Sequence, residues 1–154
     1  MKFLVDRTLG KLVKGLRMLG YDTVFHRGED AYQLIRSARS EGRILLTRDT
    51  KLRPRKPEDQ IVRIIEDIPS LQLKGLFQRG YLSIHDERVF SRCLECNGLL
   101  SQIPREEAEG RVPDFVFYHQ EEFFRCPQCQ KIYWKGSHHQ NLEKKLQELL
   151  GSHE

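Results

Sequence analysis

No run in this 154-residue chain approaches the roughly 18 apolar residues that a membrane-spanning helix requires, so no membrane partner is expected. The first turn offers only Asp6-Arg7-Thr8-Leu9-Gly10, without a G-x-G-x-x-G, and the chain has no Walker loop. Both absences disfavour a nucleotide-cofactor site. Cysteine is limited to four residues, and the opening Met1-Lys2-Phe3-Leu4-Val5-Asp6 reads as the start of a strand rather than a signal peptide. The expected setting is therefore cytoplasmic or otherwise reducing, where paired cysteines serve as metal ligands rather than disulfides. The chain contains no internal repeat beyond those pairs and no low-complexity segment.

What is present is unevenly charged. Residues 1–60 carry 14 Lys and Arg against 8 Asp and Glu, a net of +6, whereas residues 93–154 carry 7 against 10, a net of −3. The first segment suits a polyanion, although a solvated basic surface has the same composition. The length allows one core, or one domain of about 100 residues with a small stapled module.

Periodicity predicts the elements. Lys2–Val5 is a short apolar strand, and Thr8 is a candidate cap for a helix burying Leu9, Leu12, Val13, Leu16 and Leu19. After Gly20, Tyr21–Phe25 reads as a strand, and Asp30 with Gln33 forms a capping-box pattern ahead of Leu34, Ile35 and Ala38. Gly42 ends that helix, and the continuous apolar run Ile44-Leu45-Leu46 within Arg43–Thr47 suits an interior parallel strand. A polar loop over 50–59, a strand over Gln60–Ile65 and a helix over Leu71–Phe77 complete a three-layer α/β domain with a central parallel sheet across residues 1–80. Residues 81–154 form a second module. It comprises an extended lead-in over 81–92, a turn-rich stretch Glu106–Asp114, strand-like Phe115–Tyr118, strands flanking the second cysteine pair, and a last helix capped by Ser137 and lined by Leu142, Leu146, Leu149 and Leu150.

Cys93-x-x-Cys96 and Cys126-x-x-Cys129 stand 29 residues apart. Two such turns can close a tetrahedral thiolate shell around Zn²⁺, and a shell filled by protein is structural. Gly98 and Pro127 suit the tight knuckles, and the intervening strands give a zinc-ribbon layout. Redox pairs, an iron–sulfur cluster and free structural cysteines are the competing readings. His138 and His139 lie nearby but are read as surface residues, since four cysteines complete the shell.

Asp6 and Asp49 follow two of the strands, and Asp30 opens the helix between them. Ligands of open parallel sheets gather beyond the carboxyl ends of the strands, so the three carboxylates can meet at one edge and bind Mg²⁺ or Mn²⁺. Asp30 as a plain N-cap and Asp49 as a turn residue are the alternatives. Arg48, Lys51, Arg53, Arg55 and Lys56 crowd beside Asp49 and would draw a phosphate backbone there. Arg7 joins them as a candidate phosphate contact. Arg17 is another, with a helix-surface salt bridge as its plainer role. Tyr133 and Trp134 either stack bases or seal the ribbon core, and the core role is preferred.

These residues also carry a family resemblance. Phe3-Leu4-Val5-Asp6, Leu16-Arg17-Met18-Leu19-Gly20-Tyr21-Asp22, Asp30 with Ala38, and Leu45-Leu46-Thr47-Arg48-Asp49 resemble the PIN-like ribonuclease domain at the C-terminus of the Mut-seven nucleases. Cys93-x-x-Cys96-Asn97 and Cys126-Pro127-x-Cys129-x-x-x-Tyr133-Trp134-x-Gly136-Ser137-His138 resemble the second half of the same family. The resemblance implies a PIN-like fold fused to a zinc ribbon, with RNA as partner and hydrolysis by a divalent-metal-dependent endoribonuclease. Asp6, Asp30 and Asp49 match the family's catalytic and metal-binding acids. Larger PIN domains add a glutamate from an intermediate helix. This chain lacks that helix, and Asp22 and Glu29 stand nearest. The alternative is a non-catalytic RNA-binding or ribosome-associated protein that retains the fold.

Overall fold

The computed structural model describes residues 1–28, 30–135 and 144, and its centre is a sheet of four parallel strands. These are β1 (Lys2–Val5), β2 (Asp22–Phe25), β3 (Ile44–Thr47) and β4 (Ile61–Arg63), in the order β2-β1-β3-β4. The pleat explains the unbroken apolar runs. Phe3, Val5, Ile44 and Leu46 point to one face, where they meet α1 (Leu12–Met18) and α3 (Pro69–Gln78) through Leu12, Leu16 and Leu76. Leu4 and Leu45 point to the other face and meet Leu34, Ile35 and Ala38 of α2 (Ala31–Glu41). A strand covered on both faces needs no polar alternation. The fold class is accordingly α/β in three layers around a parallel sheet, followed by the clustered four-cysteine motif of a zinc-ribbon-like module.

Most predicted element ends hold to within a residue or two. Asp30 caps α2 through a complete capping box with Gln33, and Gly42 ends it in the left-handed conformation at φ 66°. The cap near the first strand differs from expectation. Asp6, not Thr8, caps a short 3-10 turn over Arg7–Leu9, and α1 begins three residues later. A carboxylate one residue after a strand is placed to accept the Thr8 N–H, so it takes the role first.

Beyond α3, the expected extended lead-in over 81–92 is broken by turns at 86–90, and Leu82 packs into the core on the α1 side. Gly20 makes this possible. At φ +92° its backbone lies so close to Arg88 that an added Cβ would sit 2.3 Å from the Arg88 carbonyl oxygen. The module's own sheet is antiparallel, in the order β5 (Ser101–Ile103), β6 (Phe123–Arg125), β7 (Ile132–Tyr133). Its small core joins Ile103, Ala108, Val112 and Phe123, with Trp134 packed against it, in keeping with the core role of that ring.

Two expectations here are corrected. The Glu106–Asp114 stretch contains a helical turn, α4 (Arg105–Ala108), and the aromatic run Phe115–Tyr118 is not a strand but part of α5 (Asp114–His119). A strand would bury alternate residues. Here the adjacent Val116 and Phe117 pack inward while Phe115 and Tyr118 are exposed, and Pro113 sets the turn. Local β-propensity yields to the one face this segment can bury. The expected last helix, with Ser137, His138, His139 and its leucines, lies outside the described residues.

One buried carboxylate organises the 50–59 loop. Asp59 accepts two hydrogen bonds from the Arg39 guanidinium of α2 at 2.7 and 3.0 Å, and one each from the Arg55 and Lys56 N–H groups at 2.9 Å. Those bonds, with Arg39 foremost, hold its carboxyl well below the usual carboxylate range. A depressed folded-state value stabilises above about pH 4, and that contribution disappears as pH falls through it. Asp59→Asn should therefore melt several degrees below wild type at pH 7, with the gap closing toward about pH 2. Melting curves across that range check this, and a gap independent of pH would refute it.

Candidate functional site

The strand order reverses at the β1–β3 seam. The chain moves from β1 outward to β2, then crosses to the other side of β1 to form β3. Crevices of open parallel sheets form beyond the carboxyl ends of such strands. Asp6 stands at that point, 3% exposed, with its N–H on the Leu46 carbonyl at 3.3 Å. Its Oδ1 accepts from the N–H of Thr8 at 2.9 Å and from the Thr8 hydroxyl, and its Oδ2 accepts from the Thr47 hydroxyl. A hydroxyl donates and accepts at once. Thr8 Oγ1 takes the Arg48 N–H at 3.0 Å, and Thr47 Oγ1 takes the Asp49 N–H at 2.9 Å. The two strand ends are thereby laced into one polar network around a single carboxylate.

A cleft of about 610 Å³ opens above this network. Asp6, Asp30 and Asp49 all line it, as do Arg7, Arg48 and Thr8, over an apolar wall of Ala31, Leu34 and Leu52. Asp30 and Asp49 are exposed and also fill their plainer roles. Asp30 Oδ1 caps Gln33 N at 2.8 Å, and Asp49 Oδ1 accepts from Lys51 N at 2.9 Å. Among the described residues, the three carboxylates share this cleft without converging into a three-ligand cluster. His26 and Arg27 line the same cleft and were missed in the sequence. The available signal was positional, since they follow β2 as Asp6 follows β1. Lys51, Arg53, Arg55 and Lys56 lie outside the lining, exposed on the 50–59 loop.

The cleft therefore presents three carboxylates and three guanidiniums. Hard oxygen donors at this edge fit Mg²⁺ or Mn²⁺, which bind through one or two carboxylates and keep several waters. Asp22 has no part in it. It lies at the opposite edge of the sheet, bonded to Arg43 at 2.8 Å and Asn97 at 2.7 Å. Burial opposes its ionisation, but those bonds outweigh it and keep the carboxyl below its ordinary range. Glu29 lies outside the described residues.

The four cysteines form a second centre. Their sulfurs lie within 4.8 Å of one another, and Cys93 and Cys129 are 3.7 Å apart. Tetrahedral bonds of the zinc–thiolate length span an edge of about 3.8 Å, so the cluster fits a metal ion. The two turns repeat one pattern. Cys93 N–H bonds to Gly98 O and Asn97 N–H to Cys93 O, while Cys126 N–H bonds to Lys131 O and Gln130 N–H to Cys126 O. Asn97 and Gln130 both take positive φ, at 71° and 66°. Burial pushes the Cys93 thiol up. Bonds from the Tyr133 hydroxyl at 3.1 Å and from the N–H groups of Cys96 and Glu95 outweigh it and bring the value to about 7.

Among the described residues, only the first knuckle is tied by hydrogen bonds to the parallel sheet. Asn97 Oδ1 accepts the Thr23 N–H at 2.9 Å, and Arg17 Nε donates to the Thr23 carbonyl at 3.0 Å. Both outward backbone groups of edge-strand residue Thr23 are thereby satisfied by side chains. Arg17 also donates to Leu94 O at 2.7 Å and Glu95 O at 3.2 Å, while Arg92 bridges Gly20 O and Asn97 O. Arg17, 9% exposed, is neither a phosphate contact nor a surface salt bridge. It is the bolt between the two modules.

The family model of the Mut7-C RNAse domain matches residues 1–146, nearly the whole chain, and the protein belongs to that family. Neither the curated proteins nor the solved structures yield a match. Among the described residues, no helix is long and apolar enough to cross a membrane.

The knuckle–sheet coupling has a direct test. Cys126→Ser should abolish stoichiometric metal binding and, through Asn97, speed amide exchange at Thr23 in the distant strand. Asn97→Ala should speed exchange at Thr23 by at least about fivefold while the metal stays bound. Exchange measured by NMR checks both, and a Thr23 amide indifferent to either change refutes the coupling.

Proposed function

We propose that this member of the Mut7-C RNAse domain family is a divalent-metal-dependent endoribonuclease that hydrolyses RNA phosphodiester bonds in the Asp6 cleft. The observation carrying this reading is the buried Asp6 carboxylate, fixed by Thr8 and Thr47 at the strand-order reversal, with Asp30 and Asp49 lining the same cleft. Asp6 and Asp49 would hold Mg²⁺ or Mn²⁺, with Asp30 facing them from the head of α2. Such an ion supplies charge neutralisation at the phosphate and a more acidic water.

The chain's own residues do the rest. Thr8 and Thr47 hold the Asp6 carboxylate in one orientation, so its position does not depend on the ligand. Arg7 and Arg48 line the cleft, where their guanidiniums would meet the phosphate oxygens. Lys51 and the Arg53, Arg55 and Lys56 stretch extend the positive surface along the loop toward the flanking backbone. The three guanidiniums of the lining balance its three carboxylates, so a bound cation would leave the cleft net positive toward a phosphate.

The four-cysteine centre binds Zn²⁺ in a structural role. Its shell has no open position, and Cys93 and Cys126 are fully buried. Four thiolates around a 2+ ion leave net negative charge, which the adjacent Arg17 guanidinium offsets. Reduced thiols of this kind suit a cytoplasmic protein.

One observation favours a non-catalytic RNA-binding or ribosome-associated protein instead. Among the described residues, the three carboxylates do not gather into a ready-made ligand cluster. Incubation of the purified chain with single-stranded and structured RNA, with and without Mn²⁺, separates the two readings. Endonuclease activity predicts internal cleavage that needs the added ion and falls at least about 100-fold in Asp6→Asn, assayed at a temperature well below that variant's own melting transition. Metal-independent binding without cleavage, unchanged in Asp6→Asn, would establish the non-catalytic reading. Arg48→Gln should weaken RNA binding and lower the salt slope by about one charge.

A further inference from the structure

Tyr32 is a large aromatic side chain, 49% exposed, on the first turn of α2. It does not belong to the face through which that helix packs, which is carried by Leu34, Ile35 and Ala38. Two guanidiniums lie over its ring. Arg36, one turn along the same helix, lies 5.4 Å from the ring centroid, and Arg55, from the 50–59 loop, lies 5.2 Å from it.

The second contact is not incidental. The Asp59 carboxylate grips the Arg55 and Lys56 N–H groups and, on its other side, Arg39 of α2. The loop is thus clamped to the helix that carries Tyr32, and Arg55 is delivered to the ring. Tyr32 also adjoins Asp30 and Ala31, both of which line the Asp6 cleft. A strand leaving that cleft past Asp30 and Ala31 would pass the first turn of α2, where Tyr32 stands.

We infer that Tyr32, with Arg36 and Arg55, is a stacking platform for an unpaired base of single-stranded RNA flanking the phosphate held in the cleft. The inference takes its ligand from the RNA reading above but does not require cleavage. Both arginines are exposed, and an exposed cation–π contact is weaker than a base stacked on an aromatic ring. An arriving base therefore displaces one guanidinium from the ring, and the freed guanidinium pairs with the adjoining phosphate. Stacking on a tyrosine is tolerant of base identity, so the platform selects unpaired over paired RNA rather than a sequence.

The test is binding by fluorescence anisotropy in the full-length Asp6→Asn chain, using a labelled single-stranded RNA oligonucleotide, the same oligonucleotide with abasic positions, and an RNA duplex. Tyr32→Leu should weaken single-stranded binding at least about fivefold, while Tyr32→Phe and Tyr32→Trp stay within about twofold. The abasic oligonucleotide and the duplex should not respond to Tyr32→Leu. A Tyr32→Leu effect below about twofold, or an equal loss on the abasic strand, overturns the platform. A parallel cleavage assay in the Asp6 background of the wild type separates the two readings. Tyr32-dependent binding without any wild-type cleavage keeps the platform and removes the nuclease. Cleavage with an unchanged KM in Tyr32→Leu, beside unchanged binding, does the reverse.

Discussion

Two threonine hydroxyls, one just after β1 and one ending β3, grip a single buried carboxylate, and the carboxyl edge of the sheet takes its shape from that grip. A carboxylate this far from water must have its lone pairs occupied. Three bonds from Thr8 and Thr47 fill most of them, and each hydroxyl also accepts a backbone N–H of the Arg48–Asp49 turn. The turn bearing a second acidic residue and a cleft arginine is therefore oriented by the first. Removing either hydroxyl would leave Asp6 under-satisfied and the turn loose at once. Local stability and site geometry rest on the same few bonds.

The second dependency runs between the modules. Taken alone, the cysteine-rich unit has a core of four buried side chains, too little to order its loops without a cross-link. Its first knuckle leans on the parallel sheet through Arg17, Asn97 and Arg92, and Tyr133 reaches from β7 to the sulfur of Cys93. The tether is one-sided, because the second knuckle repeats the internal pattern without a partner bond to the sheet among those described. The four-cysteine cluster joins an anchored half to an unanchored one.

Much of this was legible in the sequence where a single physical rule dominates. Asp30 and Gln33 predict their capping box because both partners lie within one turn. Ile44-Leu45-Leu46 predicts a strand buried on both faces because nothing polar interrupts it. The cysteine spacing predicts its cluster because chelation by a two-residue turn is local. The failures share a different cause. Phe115–Tyr118 carries strand-forming residues, yet only tertiary packing decides which face is buried, and α5 is the outcome. Arg17 looks like any helix-surface cation until the first knuckle arrives from 77 positions away. His26 and Arg27 reach the cleft through strand order, which no local pattern encodes.

Thr23 shows what the coupling costs the chain when it fails. In a four-stranded sheet with β2 at the border, its N–H and carbonyl face outward, and Asn97 and Arg17 stand in for a missing neighbour strand. One of those stand-ins, Asn97, sits on a knuckle that carries two of the four clustered cysteines. Demetallation would bare half of that border to other molecules, and a bare border is a template for strand addition. An ion held by the four cysteines would then guard this border against strand addition as well as order the module.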